Sequence, residues 1–167
     1  MLLLIQYTLI FASVLALVAL GGCFSEHSGV INIGLEGIMV MGALGGALAM
    51  KFVPAGVPAI VMFLLVVLAS LLMGVLFSLL LGVAAINFNA DQTLVGTALN
   101  LMGTAAAVVI VRAINVAENP DNVSSTIVYR KAKQVFLVNI GDFEFNWFML
   151  VAVVAVIAAY VVLYKTR

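Results

Sequence analysis

The sequence predicts an all-α fold, a polytopic transmembrane helix bundle of about five spans with one sizeable extramembrane loop. Composition is the first reason. Of 167 residues, 66% are apolar and 8% charged, and the mean hydropathy is +1.32, whereas a soluble domain is roughly 45–50% apolar and about 25% charged. So few charges cannot cover a water-facing surface, so the outside must face lipid. The second reason is where the charges fall. Met1–Ser25, Gly37–Met50, Phe52–Ala90, Gln92–Val111 and Phe145–Tyr164 carry none, and a spanning helix needs roughly 20 mostly apolar residues.

In chain order, span one is read at residues 2–22. It closes on Leu20-Gly21-Gly22-Cys23, which looks like a lipoprotein cleavage site. The start, MLLLIQ, lacks the Lys or Arg that opens a signal peptide, so Cys23 reads as a small thiol at a helix end. As the one cysteine of the chain it excludes an intrachain disulfide. After a polar link, residues 23–30, span two covers 31–50. Gly42 and Gly46 give it a GxxxG face for close helix packing.

Pro54 and Pro58 precede span three, 59–86, where proline suits a helix start. That span is long for one crossing and must tilt or project from the bilayer. A short polar link, 87–91, leads to span four, 92–112. The loop 113–145 holds Glu118, Asp121, Arg130, Lys131, Lys133, Asp142 and Glu144. Its runs TIVY (126–129) and VFLVNI (135–140) pattern as a small hairpin. Span five covers 146–164, and residues 1–167 together read as one transmembrane domain.

Polar groups in a membrane are costly and need a partner or a purpose. The first polar cluster is GGCFSEHSGVINIGLEGIM, residues 21–39, with glycine at 21, 22, 29, 34 and 37. It reads as a helix broken or started within the bilayer, which is tolerated where it is buried in protein or lines a cavity. Asn32 and Glu36, four apart, share a face if the helix includes both. Two readings of Glu36 stand side by side: a wall of a translocation pathway, or a carboxylate favoured by a helix N-terminus. His27 has no second ligand at metal spacing, so no metal site is expected.

The second cluster is DQTLVGTALNLMGT, residues 91–104. Gln92, Gly96, Asn100, Gly103 and Ala107 fall on one small, polar helix stripe. Gly96 and Gly103 suit helix packing, and Asn100 suits either an interhelical hydrogen bond or a pathway face. No GxxxxGK[ST] phosphate loop is present, and one His with one Cys indicates no nucleophile–base pair. The chain is therefore expected to be no enzyme and to need no cofactor. Zero net charge with no basic arm gives no sign of nucleic acid as a partner.

At these clusters the sequence resembles a known family. GGCFSEHSGVINIGLEGIMVMGA is similar to the N-terminal signature of bacterial ABC-importer permeases of the nucleoside or simple-sugar type, within the branched-chain amino acid/ribose permease superfamily. ADQTLVGTALNL (90–101) matches the next signature. VVLYKTR (161–167) resembles the end of the span before the cytoplasmic coupling loop. The family usually has Arg where this chain has His27, and basic residues in the link at 87–91. Its chains are nearly twice as long, so this one is expected to be the N-terminal half of a permease subunit.

The resemblance implies an assembly in the bacterial plasma (inner) membrane. Two permease subunits form the pore, separate ATP-binding cassette ATPase subunits hydrolyse ATP, and an extracytoplasmic solute-binding protein delivers the solute. It also implies that Asn32, Glu36, Gln92 and Asn100 lie beside the substrate pathway. The positive-inside rule alone would put 113–145 in the cytoplasm. The family arrangement puts the N-terminus and that loop outside, and is preferred here. An ion- or proton-coupled carrier using Glu36, and a truncated fragment that does not transport, are the alternatives.

Overall fold

Among the described residues, five helices are long and apolar enough to cross a membrane. The computed structural model describes residues 2–54, 56–127, 137–140 and 143–165. Within them lie α1 (Leu2–His27), α2 (Leu35–Phe52), α3 (Ala59–Asn87), α4 (Gln92–Glu118) and α5 (Trp147–Lys165). The helical class read from the apolar runs stands. One small hairpin is added to it, β1 (Leu137–Ile140) with β2 (Phe143–Asn146). The helices and hairpin form two compact units, Val30–Ala132 and Met1–Gly29 with Lys133–Arg167.

In the second of these units α1 packs on α5, and β2 touches both. α1 has 26 residues, a length of about 39 Å at the α-helical rise, against a hydrocarbon core of about 30 Å. Leu4, Phe11 and Leu15 of α1, and Val153, Ile157 and Tyr160 of α5, are exposed, as lipid-facing side chains are. Two hydroxyls on α1 bond locally: Thr8 donates to the Leu4 carbonyl at 2.8 Å and Ser13 to the Ile10 carbonyl at 2.7 Å. Asn146 caps α5, its side-chain oxygen accepting the Phe148 N–H at 2.9 Å.

The hairpin differs from the pairing read in the sequence. Leu137–Ile140 is the end of VFLVNI, but its partner is Phe143–Asn146, with Leu137 opposite Asn146 and Ile140 opposite Phe143. Thr126 and Ile127 of TIVY belong to no strand; its Val128 and Tyr129 lie outside the described residues. The physical reason is loop length. Gly141 and Asp142 alone separate the two strands, and a two-residue Gly-Asp link is a favoured hairpin connection.

In the other unit α2 packs against both α3 and α4. Met41, Leu44, Phe77, Leu81, Leu99 and Val111 form its buried core. α2 meets α3 through glycines. A Cβ on Gly45 would lie 2.7 Å from the Ala69 carbonyl oxygen, one on Gly42 would lie 3.3 Å from that of Ser70, and one on Gly46 would collide with the Ser70 hydroxyl. Pro58 precedes α3 and its carbonyl accepts the Val61 and Met62 N–H groups at 3.0 Å. Asp91 caps α4, accepting from Thr93 N–H at 2.8 Å and Leu94 N–H at 3.2 Å. Before it, Asn89 takes φ 48°, a left-handed conformation that asparagine tolerates.

α4 runs to Glu118, so residues 113–118, read as loop, are helical. The helix does not end at Arg112, which is exposed, because its inner face continues through the buried Val111 and Asn115. α2 begins at Leu35 rather than 31, for the reason developed below.

The α2–α3 seam gives a direct test. Gly45→Val should destabilise the chain by about 1–3 kcal/mol, the usual cost of overpacking, because the Ala69 carbonyl it would strike is backbone and cannot swing away. Gly82→Val, with nothing within 4 Å of its Cβ, should be tolerated. Unfolding of the purified chain in mixed micelles by a denaturing detergent compares the two. Equal stability would refute the close seam.

Candidate functional site: the interrupted start of α2

Residues 30–34 approach α2 without helical structure. In lipid no water is at hand for their backbone groups, so protein must satisfy them. Gly34, at the N-cap, has no side chain to do so, and the first N–H groups of any helix lack intrahelical partners. α4 supplies what is missing. Asn100 accepts the Gly37 N–H through Oδ1 and donates through Nδ2 to the Ile33 carbonyl, both at 2.8 Å. Gln92 accepts the Ile31 N–H through Oε1 at 3.0 Å. A side chain 63 residues further along the chain thus does the work of an N-cap.

An asparagine side chain is short, so the two backbones must come close. A Cβ on Gly37 would sit 2.5 Å from the Leu99 carbonyl oxygen. On Gly96 it would sit 2.9 Å from the Gly34 nitrogen, and on Gly103 2.9 Å from the Gly37 Cα. Glycine stands on both sides of this contact. Of the four glycines singled out in the sequence, Gly42 and Gly46 face α3, while Gly96 and Gly103 face the start of α2. Gly34 and Gly37, noted in the first polar cluster, lie at this contact too, and Gly45, as close to α3 as its neighbours, escaped a search for one motif on one helix.

The other candidate residues occupy the same end of α2. Asn32 and Glu36 do not share a helix face, because Asn32 precedes the first helical residue, Leu35. Asn32 Oδ1 is buried with no hydrogen-bond partner among the described residues, and lies 3.4 Å from where a Gly34 Cβ would be. Glu36 is exposed in the first turn of α2, where the helix dipole favours a negative charge. Gln92, Asn100, Asn32 and Glu36 are therefore gathered on one short stretch. The backbone uses one donor and one acceptor of Asn100, and an amide has two N–H donors and room for a second bond at oxygen.

Sequence reading missed the opposite ends of α2 and α4, where Lys51, Asn115 and Glu118 meet. A signal for Asn115 existed. The stripe through Asn100, Gly103 and Ala107 continues at a spacing of four through Val111 to Asn115, and both of these are buried.

The fold and this site define a polytopic helical membrane protein whose second helix is broken at its start and held there by amides of the fourth. Comparison with known proteins narrows the class. The family described as branched-chain amino acid transport system / permease component matches residues 4–167, and the chain belongs to that family. It is 47% identical over 107 residues to the guanosine ABC transporter permease protein NupQ of Bacillus subtilis, covering 64% of this chain and 33% of that one. It is 35% identical over 163 residues to the nucleoside ABC transporter permease protein NupC of Lactococcus lactis, covering 95% of this chain and 51% of that one. The chain thus spans about half the length of the second relative and a third of the first. No solved structure matches it.

If Asn100 caps α2 as described, Asn100→Leu leaves the Gly37 N–H and the Ile33 carbonyl unpaired. The expected loss is about 2–6 kcal/mol, at roughly 1–3 kcal/mol for each of the two orphaned groups, with faster amide exchange confined to residues 31–38. Unchanged exchange there would show that the cap is idle.

Proposed function

We propose that the chain is a membrane-spanning permease component of an ATP-binding-cassette importer, and that it forms part of the translocation pathway for nucleosides or related small solutes such as sugars. The start of α2 carries this reading. A helix broken by glycines and capped from a neighbouring helix leaves Glu36 exposed and Asn32 Oδ1 without a partner. Intramembrane polar groups of that kind suit a solute rich in hydroxyl and N–H donors, as sugars and nucleosides are. Membership of a permease family supports the transport role, and the names of the two relatives, guanosine and nucleoside permeases, support the solute class.

In this reading Asn32 and Glu36 contact the solute, and Gln92 and Asn100 hold the broken segment in place beside it. ATP is hydrolysed on separate ATPase subunits. A second permease subunit completes the pore, an extracytoplasmic solute-binding protein delivers cargo, and the assembly sits in the bacterial inner membrane. The N-terminus and the segment after α4 lie outside.

The test is uptake of labelled nucleoside by cells carrying the complete transporter that contains this chain. Glu36→Gln and Asn32→Ala should each lower uptake at least about tenfold, equivalent to about 1.4 kcal/mol, with the protein still in the membrane. Normal uptake by both variants would remove these residues from the pathway. Loss of wild-type uptake to an uncoupler at constant ATP would replace the ATP-driven reading with an ion-coupled one. Sidedness has its own measurement. A cysteine at the exposed Ser125, in a Cys23→Ser background, should react with an impermeant maleimide added outside intact cells. Protection from it would invert the topology.

A further inference from the structure

We infer that Asn115 is a positioning residue, the joint that fastens the segment after α4 to the ends of both α2 and α4. The role of these helices beside a pathway rests on the permease reading; the joint itself does not.

Asn115 is 3% exposed, near the end of α4. Its side chain is used on every side. Nδ2 donates to the Ser124 and Thr126 carbonyls, each at 2.9 Å, and Oδ1 accepts from Lys51 Nζ at 3.5 Å. The two amide donors hold the segment, and the oxygen faces α2. Few side chains could replace it. Aspartate has the acceptor without the donors, and its charge would oppose the two carbonyls; leucine has neither.

Lys51 completes the joint from the last turn of α2. Its side chain is 10% exposed and its ammonium lies 2.9 Å from Glu118 Oε2, on a side chain 58% exposed. A largely desolvated cation is strongly disfavoured without its partner, so the end of α2 is not free to slide from the end of α4. Asp121, on the segment, and Arg112, on α4, are exposed.

The segment held in this way has an order of its own. The Asn119 N–H bonds the Asn115 carbonyl at 2.9 Å and the Asn122 N–H bonds the Asn119 carbonyl at 2.9 Å. Side chains close the next turns: Asn119 Oδ1 accepts from Asp121 N–H at 3.1 Å, Asn122 Oδ1 from Ser124 N–H at 3.2 Å, and Ser124 Oγ from Thr126 N–H at 3.1 Å. Ile127 then packs against the hydrophobic core. Residues 119–127 form a strap pinned at two carbonyls and one apolar side chain. At their other ends α2 and α4 are tied by Asn100 and Gln92. The strap is therefore mounted on a helix pair fastened at both ends, and a displacement of the strap is carried to α2 and α4 together.

Hydrogen–deuterium exchange of the full chain in lipid nanodiscs tests the joint without any need for transport, so its failure is separate from a failure of the uptake reading. Asn115→Asp and Asn115→Leu should each speed exchange over residues 119–127 by about 30-fold, the scale set by losing two hydrogen bonds. Residues 31–38, at the opposite end, should be unchanged. Glu118→Gln should leave the strap protected, because the donors of Asn115 remain, while exchange near residues 48–53 rises. Wild-type protection of the strap in Asn115→Asp would overturn the inference. So would loosening of every helix by both Asn115 variants, which would make Asn115 an ordinary core residue rather than a joint.

Discussion

A buried backbone amide has no water to turn to, and the Gly37 N–H finds its partner in one side chain, Asn100. Much of the Val30–Ala132 unit follows from this. An asparagine reaches only a short way, so α2 and α4 must come close enough that a methyl group on Gly37, Gly96 or Gly103 would strike backbone. That approach fixes how α4 lies along α2. The lie of α4 in turn places Leu99 and Val111 in the core with Met41 and Leu44. Van der Waals packing replaces the hydrophobic effect as the force between helices in lipid, and packing rewards such close approach. The same rule recurs at the α2–α3 seam, where Gly45 and Gly46 lie against Ala69 and Ser70.

Much of the helical fold was legible in the sequence because it depends on sums. A run such as Phe52–Ala90 without a charge declares a span whatever its neighbours do. Features set by single contacts were less legible. Arg112 looked like the end of span four, yet one exposed arginine does not stop a helix whose inner face continues to Asn115. The hairpin was half visible. VFLVNI was recognised as a strand, but TIVY was chosen for its partner by composition, and the shorter Gly141-Asp142 link was passed over. At the site, the polar cluster and the α4 stripe were each visible alone. That Asn100 and Gln92 bond to the backbone around α2 depends on how two helices meet, which spacing on one helix does not encode.

Holding backbone is compatible with the proposed place of Gln92 and Asn100 beside a pathway. A segment without helical structure needs fixed partners for its backbone groups. The amides of α4 provide them, at the positions where glycine lets the chains touch. Glu36 follows directly in the first turn, exposed and at the favourable end of the helix dipole. Its two earlier readings, helix-end charge and pathway wall, are thus compatible.

The two ends of the α2–α4 pair solve different problems with the same functional group. At the start of α2 the amide of Asn100 replaces a missing cap, and both of its partners are backbone atoms of the chain leading into that helix. At the far end the amide of Asn115 again binds backbone, but of the chain leaving α4. In each case a side chain on α4 holds an irregular segment against a helix end. An amide suits this task better than a charged group. It offers donors and an acceptor together, so it can satisfy N–H and C=O groups at once, and it carries no charge to desolvate. The one buried charge in the arrangement, Lys51, reaches Glu118 at the exposed end of α4, where solvation of the carboxylate limits its desolvation cost. Irregular backbone is thus fixed by neutral amides, with the ion pair set where one partner remains hydrated. The bonds that hold the start of α2 are amide-to-backbone bonds, with no charged side chain among them.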